Sequence, residues 1–273
     1  MRSWRAGVLL DSHTHIDMRE FDDDRERVLQ RAREAGIAAV IDIGIDIVSS
    51  EAAIALAEKH SDVFATVGIH PHDASKVTDA DMNRLEELAR YPKVVAVGET
   101  GLDFYRNRSS KESQVEVFKR HLELASKSGL PVVIHSRNAN DEVFNILSEW
   151  VAGRKSEDRP VGVLHCFSGD AELGKKYIDM GFLIAFDGPV TYPKSSAAGV
   201  AKEMPLDKML IETDCPFLTP QAHRGKRNEP SYVSYVAAKI AEVKGISCES
   251  VADATSANAI RLFRLPIKQG VNR

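Results

Sequence analysis

The chain is 273 residues long and 43% hydrophobic, enough to bury a large core as one large α/β barrel or as two ordinary domains. A formal net charge of −4 supplies no global basic field toward nucleic acid, so contact with a polyanion must be local or carried by metal. Three widely separated cysteines, Cys166, Cys215 and Cys248, make neither a disulfide framework nor a zinc ribbon, which suits a reducing cytosol. Met1 to Gly7 carries two arginines, but the apolar run behind it is only Val8 to Leu10, too short for a signal-peptide core. No run approaches the roughly 18 apolar residues of a membrane span. A soluble, cytoplasmic protein is expected.

In chain order, Val8 to Leu10 ends in Asp11-Ser12-His13-Thr14-His15. Side chains at i and i+2 of an extended backbone project to one face, so His13 and His15 point the same way at a strand end and can close on one metal ion. Asp22 to Gly36 has helical periodicity with an acidic start and a glycine stop. Ala38 to Ile43 is a buried strand. Ser49 to His60 is a helix with Ser49 or Ser50 as cap. Val63 to Ile69 is a strand ending in His70-Pro71-His72, and Thr78 to Arg90 is a helix capped by Thr78. Val94 to Val97 is a strand ending in Gly98-Glu99-Thr100-Gly101-Leu102-Asp103. Glu112 to Ser128 is the longest helix, stopped by Gly129.

The second half repeats the scheme. Strand Pro131 to Ile134 ends in His135-Ser136-Arg137, helix Asn140 to Val151 follows, and Gly153 to Pro160 is a charged, exposed loop. Strand Val161 to Leu164 ends in His165-Cys166, and helix Ala171 to Met180 stops at Gly181. Strand Phe182 to Phe186 ends in Asp187-Gly188-Pro189, before a short helix from Ser195 to Glu203. Strand Lys208 to Ile211 ends in Glu212-Thr213-Asp214-Cys215-Pro216. A polar loop, Gln221 to Asn228, leads into helices at Pro230 to Lys244 and Ser247 to Arg264.

About eight near-continuous apolar strands alternate with about eight helices, without a linker or low-complexity segment. Such strands belong to a parallel sheet covered on both faces. Eight units predict a (β/α)8 TIM barrel of the α/β class, one domain over 1–273, with an extra C-terminal helix. An open doubly wound sheet would need a glycine-rich phosphate turn after its first strand, and none is present.

In a barrel the C-terminal strand ends converge on one mouth. His13, His15, Glu99, His135, His165 and Asp214 meet there, with His70 as a possible seventh member. Imidazoles and carboxylates suit Zn, Mn, Fe or Co, and Mg where carboxylate and water dominate. Six side chains are more than one tetrahedral ion needs, so two divalent ions bridged by Glu99 are expected. Such ions supply hydrolysis, of amides, esters, lactones or phosphodiesters alike. Asp214 can ligate and also take a proton from the attacking water, so Asp214 and Glu99 are the catalytic candidates.

Cations on the same face favour an anionic substrate, and guanidinium groups match phosphate oxygens. The candidate substrate contacts are His70, Arg106, Arg137, His223, Arg224, Arg227 and Asn228. Arg108, Lys226 and His72 lie in the same loops. His60, closing a helix, and His121, inside the longest helix, read as structural.

From Asp11 to about Phe263 the chain resembles the TatD family of metal-dependent deoxyribonucleases, a branch of the amidohydrolase-like barrels. The resemblance rests on Asp11-Ser12-His13-Thr14-His15, Phe21-Asp22-Asp23-Asp24-Arg25, Gly68-Ile69-His70-Pro71-His72 and Gly98-Glu99-Thr100-Gly101-Leu102-Asp103. It continues in His135-Ser136-Arg137, His165-Cys166-Phe167-Ser168-Gly169, Glu212-Thr213-Asp214-Cys215-Pro216 and Arg224-Gly225-Lys226-Arg227-Asn228-Glu229-Pro230. It implies that the family's ligands fall on His13, His15, Glu99, His135, His165 and Asp214. It also implies 3′-to-5′ exonuclease activity on DNA, single strands preferred, supported by Mg or Mn, with Zn, Ni, Fe or Co as other bound metals. Thr14 stands where cysteine is common, Asn138 and Asn140 where acids often follow, and His121 where glutamine is usual; none of these is a proposed ligand.

Similar barrels hydrolyse amides and lactones, and some TatD-like proteins cleave D-aminoacyl-tRNA esters. A metal-dependent ester or amide hydrolase is therefore the alternative, though Glu99 stands where a carboxylated bridging lysine would serve cyclic-amide chemistry. A non-catalytic barrel is disfavoured, because clustered carboxylates and imidazoles without metal would destabilise the fold. No obligate protein partner or membrane contact is evident, and a monomer is expected.

Overall fold

Every apolar run becomes a strand, and the strands pair in chain order. In the computed structural model, which describes residues 8–153 and 159–267, they are β1 (Leu9–Thr14), β2 (Ile37–Ile43), β3 (Val63–Val67), β4 (Val94–Asp103), β5 (Val132–Arg137), β6 (Gly162–Leu164), β7 (Phe182–Phe186) and β8 (Met209–Ile211). Together they form one eight-stranded parallel sheet. Helices α1 (Arg25–Glu34), α2 (Ile47–Lys59), α3 (Asp79–Leu88), α4 (Lys111–Ser128), α5 (Asn140–Ala152), α6 (Ala171–Asp179), α7 (Ala197–Glu203) and α8 (Val233–Lys244) fill the connections, and α9 (Cys248–Phe263) is the extra C-terminal helix. The architecture is the (β/α)8 barrel expected from the sequence.

The barrel closes between β1 and β8, and the closure lies just beyond the end of β8. Asp214 N–H donates to His13 O at 2.9 Å and His15 N–H to Cys215 O at 2.8 Å. Buried Asp11 clamps the same seam, accepting from Thr213 N–H at 2.9 Å and from Thr213 Oγ1 at 2.6 Å. The backbone bonds that shut the barrel therefore also fix His13, His15 and Asp214 against one another.

Side chains alternate across each strand between two cores. In β7, Phe182, Ile184 and Phe186 pack outward with the helices, whereas Leu183 and Ala185 join a separate inner cluster with Val133, Val163 and Leu210. That inner cluster is completed by Ala259, Leu262 and Phe263 of α9. Ser256 Oγ donates to Val8 O and Asn258 Nδ2 to Met209 O, which seats α9 at the N-terminal ends of β1 and β8. Hydrocarbon fills that end.

Several boundaries differ from the sequence reading. β4 continues through the Gly98–Asp103 motif because it keeps pairing with β5, from Thr100↔Ile134 to Asp103↔Arg137. Gly101 permits this: at φ 134° it approaches so closely that a Cβ there would strike the His135 carbonyl. The cap of α2 is Asp46 rather than Ser49 or Ser50. Asp46 accepts from Ser49 N–H at 2.7 Å and Ser49 Oγ accepts from Asp46 N–H at 2.9 Å, a reciprocal capping box. α1 and α8 each start about one turn late, behind short 3-10 turns at Arg19–Phe21 and Pro230–Tyr232. The N-terminal stretch to Gly7 and part of the loop expected from Gly153 to Pro160 lie outside the described residues. Among the described residues no helix is long and apolar enough to cross a membrane.

Candidate metal centre

The inward rows of the strands begin apolar and end in ligand-type residues two positions on. Val133 leads to His135, Val163 to His165, Ala185 to Asp187, and Leu210 to Glu212 and then Asp214. Period-two geometry alone thus lifts imidazoles and carboxylates off the hydrocarbon floor onto one mouth.

Glu99 lies at the centre, 3% exposed. Its Oε2 is 3.4 Å from His13 Nε2 and 3.9 Å from His15 Nε2. Its Oε1 is 2.8 Å from His135 Nδ1, 3.2 Å from His165 Nε2 and 3.6 Å from His70 Nε2. Asp214 Oδ1 adds to the first side, 3.6 Å from His13 Nε2 and 3.4 Å from His15 Nε2. The two histidines of the His-x-His pair bring their Nε2 atoms to 3.3 Å.

These spacings fit metal ligation. Donors about 2.1 Å from one ion lie roughly 3.0–3.4 Å apart in octahedral or tetrahedral arrangement. Three sets of potential donors converge: His13, His15 and Asp214; His13, Glu99 and His165; and His70, Glu99 and His135. His13 Nδ1 is buried without a hydrogen-bond partner, so part of the cluster's polarity is unmatched by the protein itself.

Outer contacts orient the imidazoles. His15 Nδ1–H donates to Ile43 O at 3.2 Å, leaving Nε2 as the lone-pair atom. His165 Nδ1 lies 3.2 Å from Glu212 Oε1, and the same oxygen accepts from Cys166 N–H at 2.6 Å. Asp214 sits in the left-handed region at φ 57°, a strained conformation for a non-glycine residue, and the seam bond from its N–H holds it there.

The electrostatics favour cations. Burial would raise the Glu99 carboxyl, but the imidazoles of His165, His70, His13 and His135 hold it well below the usual carboxylate range. Asp214, similarly buried, is held down by its bond to His15 and the charges of His165 and His13. Burial would lower His15, yet Asp214 and Glu99 outweigh it and lift the ring to about 9. His70 moves the other way, to about 3, because burial and its imidazole neighbours dominate over Glu99. Protons and divalent ions compete for such a cluster.

The expected substrate contacts separate into two groups. Arg106 and Arg137 lie over the exposed Tyr105 ring, their guanidinium carbons 5.5 and 4.1 Å from its centroid, and Arg224 lies 4.3 Å over Tyr192. His223 stacks on Tyr232 at 4.1 Å and meets Tyr235 edge-on at 4.9 Å. His70 stands within the cluster itself. Arg227 is committed elsewhere: its guanidinium bonds both carboxylate oxygens of Asp24 at 2.8 Å and lies over Phe21. Asn228 is fully buried, donating to Thr213 O and Phe217 O while accepting from Glu229 N–H. Both brace the loop after β8 rather than presenting a free polar group. His121 is structural as expected, donating to Val117 O and accepting from Ile69 N–H.

Three acids of the mouth did not enter the sequence-derived site. Glu212 orients His165. Asp103 Oδ2 takes His72 Nε2–H at 2.9 Å and lies 3.4 Å from His135 Nε2. Asp187, 4% exposed, keeps Oδ2 without a partner. The signal for Glu212 and Asp187 was the two-residue step from an inward apolar position. Asp103 needed the unforeseen extension of β4.

A barrel whose mouth gathers imidazoles around a central carboxylate defines a metal-dependent hydrolase. The family described as TatD related DNase matches residues 10–264, and the chain belongs to it. The metal-dependent hydrolase YabD of Bacillus subtilis is 41% identical over 94% of this chain and all of its own length. The 3′-5′ ssDNA/RNA exonuclease TatD of Pectobacterium atrosepticum is 33% identical over 94% of this chain and all of its own. Among solved structures, the TatD homologue YjjV of Escherichia coli superposes with a TM-score of 0.88 at 32% identity, covering 94% of this chain and 98% of that one.

Proposed function

We propose that the chain is a 3′-to-5′ exonuclease of single-stranded nucleic acid, DNA foremost, and that the residues gathered around Glu99 would hold two divalent cations. The observation that carries this reading is the division of the Glu99 carboxylate. Oε2 faces His13 and His15, which also meet Asp214, and Oε1 faces His135, His165 and His70. Cations bound there would supply an activated water and charge stabilisation for phosphodiester hydrolysis.

The chain's own groups do the rest. Asp214, ionised because its carboxyl is held down, accepts the proton of the attacking water. Glu212 keeps His165 turned with Nε2 toward Glu99. Arg106, Arg137 and Arg224 meet phosphate oxygens. The Pectobacterium relative, named an ssDNA/RNA exonuclease, supports the choice of substrate; no feature of the site favours an aminoacyl ester instead.

The test is cleavage of a 5′-labelled single-stranded oligonucleotide by metal-stripped protein with Mg or Mn added back, beside Asp214→Asn. The expected result is a ladder shortening from the 3′ end, abolished by EDTA and in the variant. Intact oligonucleotide in the presence of metal-loaded protein would overturn the reading.

A further inference from the structure

Two exposed aromatic side chains stand just beyond ligand-bearing segments on strands that face each other across the barrel. Tyr105 follows β4 and is 55% exposed; Phe217 follows β8 and is 48% exposed. In a closed ring of eight, β4 and β8 are diametrically opposite. Exposed aromatic rings at both edges of a polar mouth offer apolar faces on which a flat ligand can stack.

Neither ring hangs on a loose loop. Asp103 Oδ1 accepts from Tyr105 N–H at 2.9 Å and from Arg106 N–H at 2.8 Å, while Phe104 N–H donates to Arg137 O at 2.9 Å. The carboxylate whose other oxygen meets His72 and His135 therefore fixes the backbone under Tyr105. On the far side, Phe217 N–H donates to Asp214 O at 2.9 Å and Phe217 O accepts from buried Asn228 Nδ2 at 2.7 Å. The Phe217 ring lies 6.1 Å from that of His15. Each ring is thus held in register with the cluster.

Charge tells what they would hold. Among the described residues, the Arg137 and Arg106 guanidinium groups beside Tyr105 have no carboxylate partner, unlike Arg227, Arg31 and Arg33. Aromatic rings interleaved with unpaired cations are the recognition chemistry of unpaired nucleotides: bases stack on the rings and phosphates meet the guanidinium groups. Duplex bases are already stacked on their neighbours and offer no free face.

We propose that Tyr105 and Phe217 are base-stacking platforms on opposite edges of the mouth, seating consecutive unpaired nucleotides so that the phosphodiester between them lies over the Glu99 cluster. This rests on the nuclease reading above and adds the source of its preference for single strands.

The test compares metal-loaded wild type, Tyr105→Ala, Phe217→Ala and Tyr105→Phe on two substrates. One is a short oligothymidylate, and the other is the same oligonucleotide with abasic sugars at the two positions nearest the 3′ end. Tyr91→Ala, at an exposed tyrosine between α3 and β4, serves as control. Each alanine variant at the mouth is expected to raise KM for the base-bearing oligonucleotide roughly 5- to 100-fold with kcat little changed. KM for the abasic substrate should move by less than about twofold, Tyr105→Phe should restore the wild-type preference, and Tyr91→Ala should keep it. Equal effects of Tyr105→Ala and Phe217→Ala on both substrates, or no effect on either, would overturn this inference alone. Wild-type protein that cleaves neither oligonucleotide would overturn the nuclease reading and this one with it.

Discussion

The same eight strands build two ends of opposite character. At their N-terminal end, Leu262 and Phe263 of α9 close an interior of Leu10, Val133, Val163, Leu183 and Leu210. At their C-terminal end, further along the same inward rows, His135 and His165 meet Glu99, Glu212 meets His165, and Asp214 meets His13 and His15. One end is stabilised by burying apolar surface. The other concentrates buried acids and imidazoles that in isolation destabilise the fold and make sense only through what they bind. Substitutions should therefore sort by end, the lower ones changing stability and the upper ones changing chemistry.

The largest expected effect is at the upper end. Asp214→Asn should lower kcat by about 10²- to 10⁴-fold with the circular dichroism spectrum unchanged; a wild-type rate would remove Asp214 as base and ligand. Phe263→Ala, at the lower end, should reduce stability to urea by about 3–5 kcal/mol while the folded fraction keeps its specific activity. Loss of specific activity in that folded fraction would break the separation between the ends.

Glu212→Gln sharpens the comparison, because Glu212 touches an imidazole of the cluster without facing its centre. Metal affinity, read by competition with a chelator, should fall about 10- to 100-fold. Undiminished affinity would show that His165 needs no orienting partner.

The smallest effect concerns His121, buried and held down to about 4 by desolvation despite its bond to Val117 O. Its folded value lies below the unfolded 6.5, so the neutral ring contributes stability above pH 6.5 that is lost as pH falls toward 4. Between pH 8 and pH 5 that loss is about 2 kcal/mol. His121→Gln, keeping an acceptor for Ile69 N–H, should remove this part of the acid slope in urea unfolding at the two pH values. An unchanged slope would assign the sensitivity to other groups.

The barrel was legible in the sequence because a parallel strand covered on both faces leaves an uninterrupted apolar run, and because each run stops where the chain reaches the mouth. The strand-end residues His13, His15, Glu99, His135, His165 and Asp214 could be picked out on that ground, and the structure brings their side chains together. What stayed hidden depends on contacts between distant parts of the chain. The basic loop around Arg227 reads as a single cationic patch until Asp24, 203 residues away, takes up that guanidinium. Asn228 looks like an exposed polar loop residue until it is found buried between two carbonyls. The capping role of Asp46 stayed hidden because the acid and the serine three residues on each satisfy the other's backbone N–H, so from sequence alone either reads as the cap.

The proposal that Glu99 joins two cation sites is tested by anomalous scattering from crystals soaked in Mn. Two peaks are expected, one among His13, His15, Asp214 and Glu99 Oε2, the other beside Glu99 Oε1 among His135, His165 and His70. A single peak, or peaks away from Glu99, would contradict it.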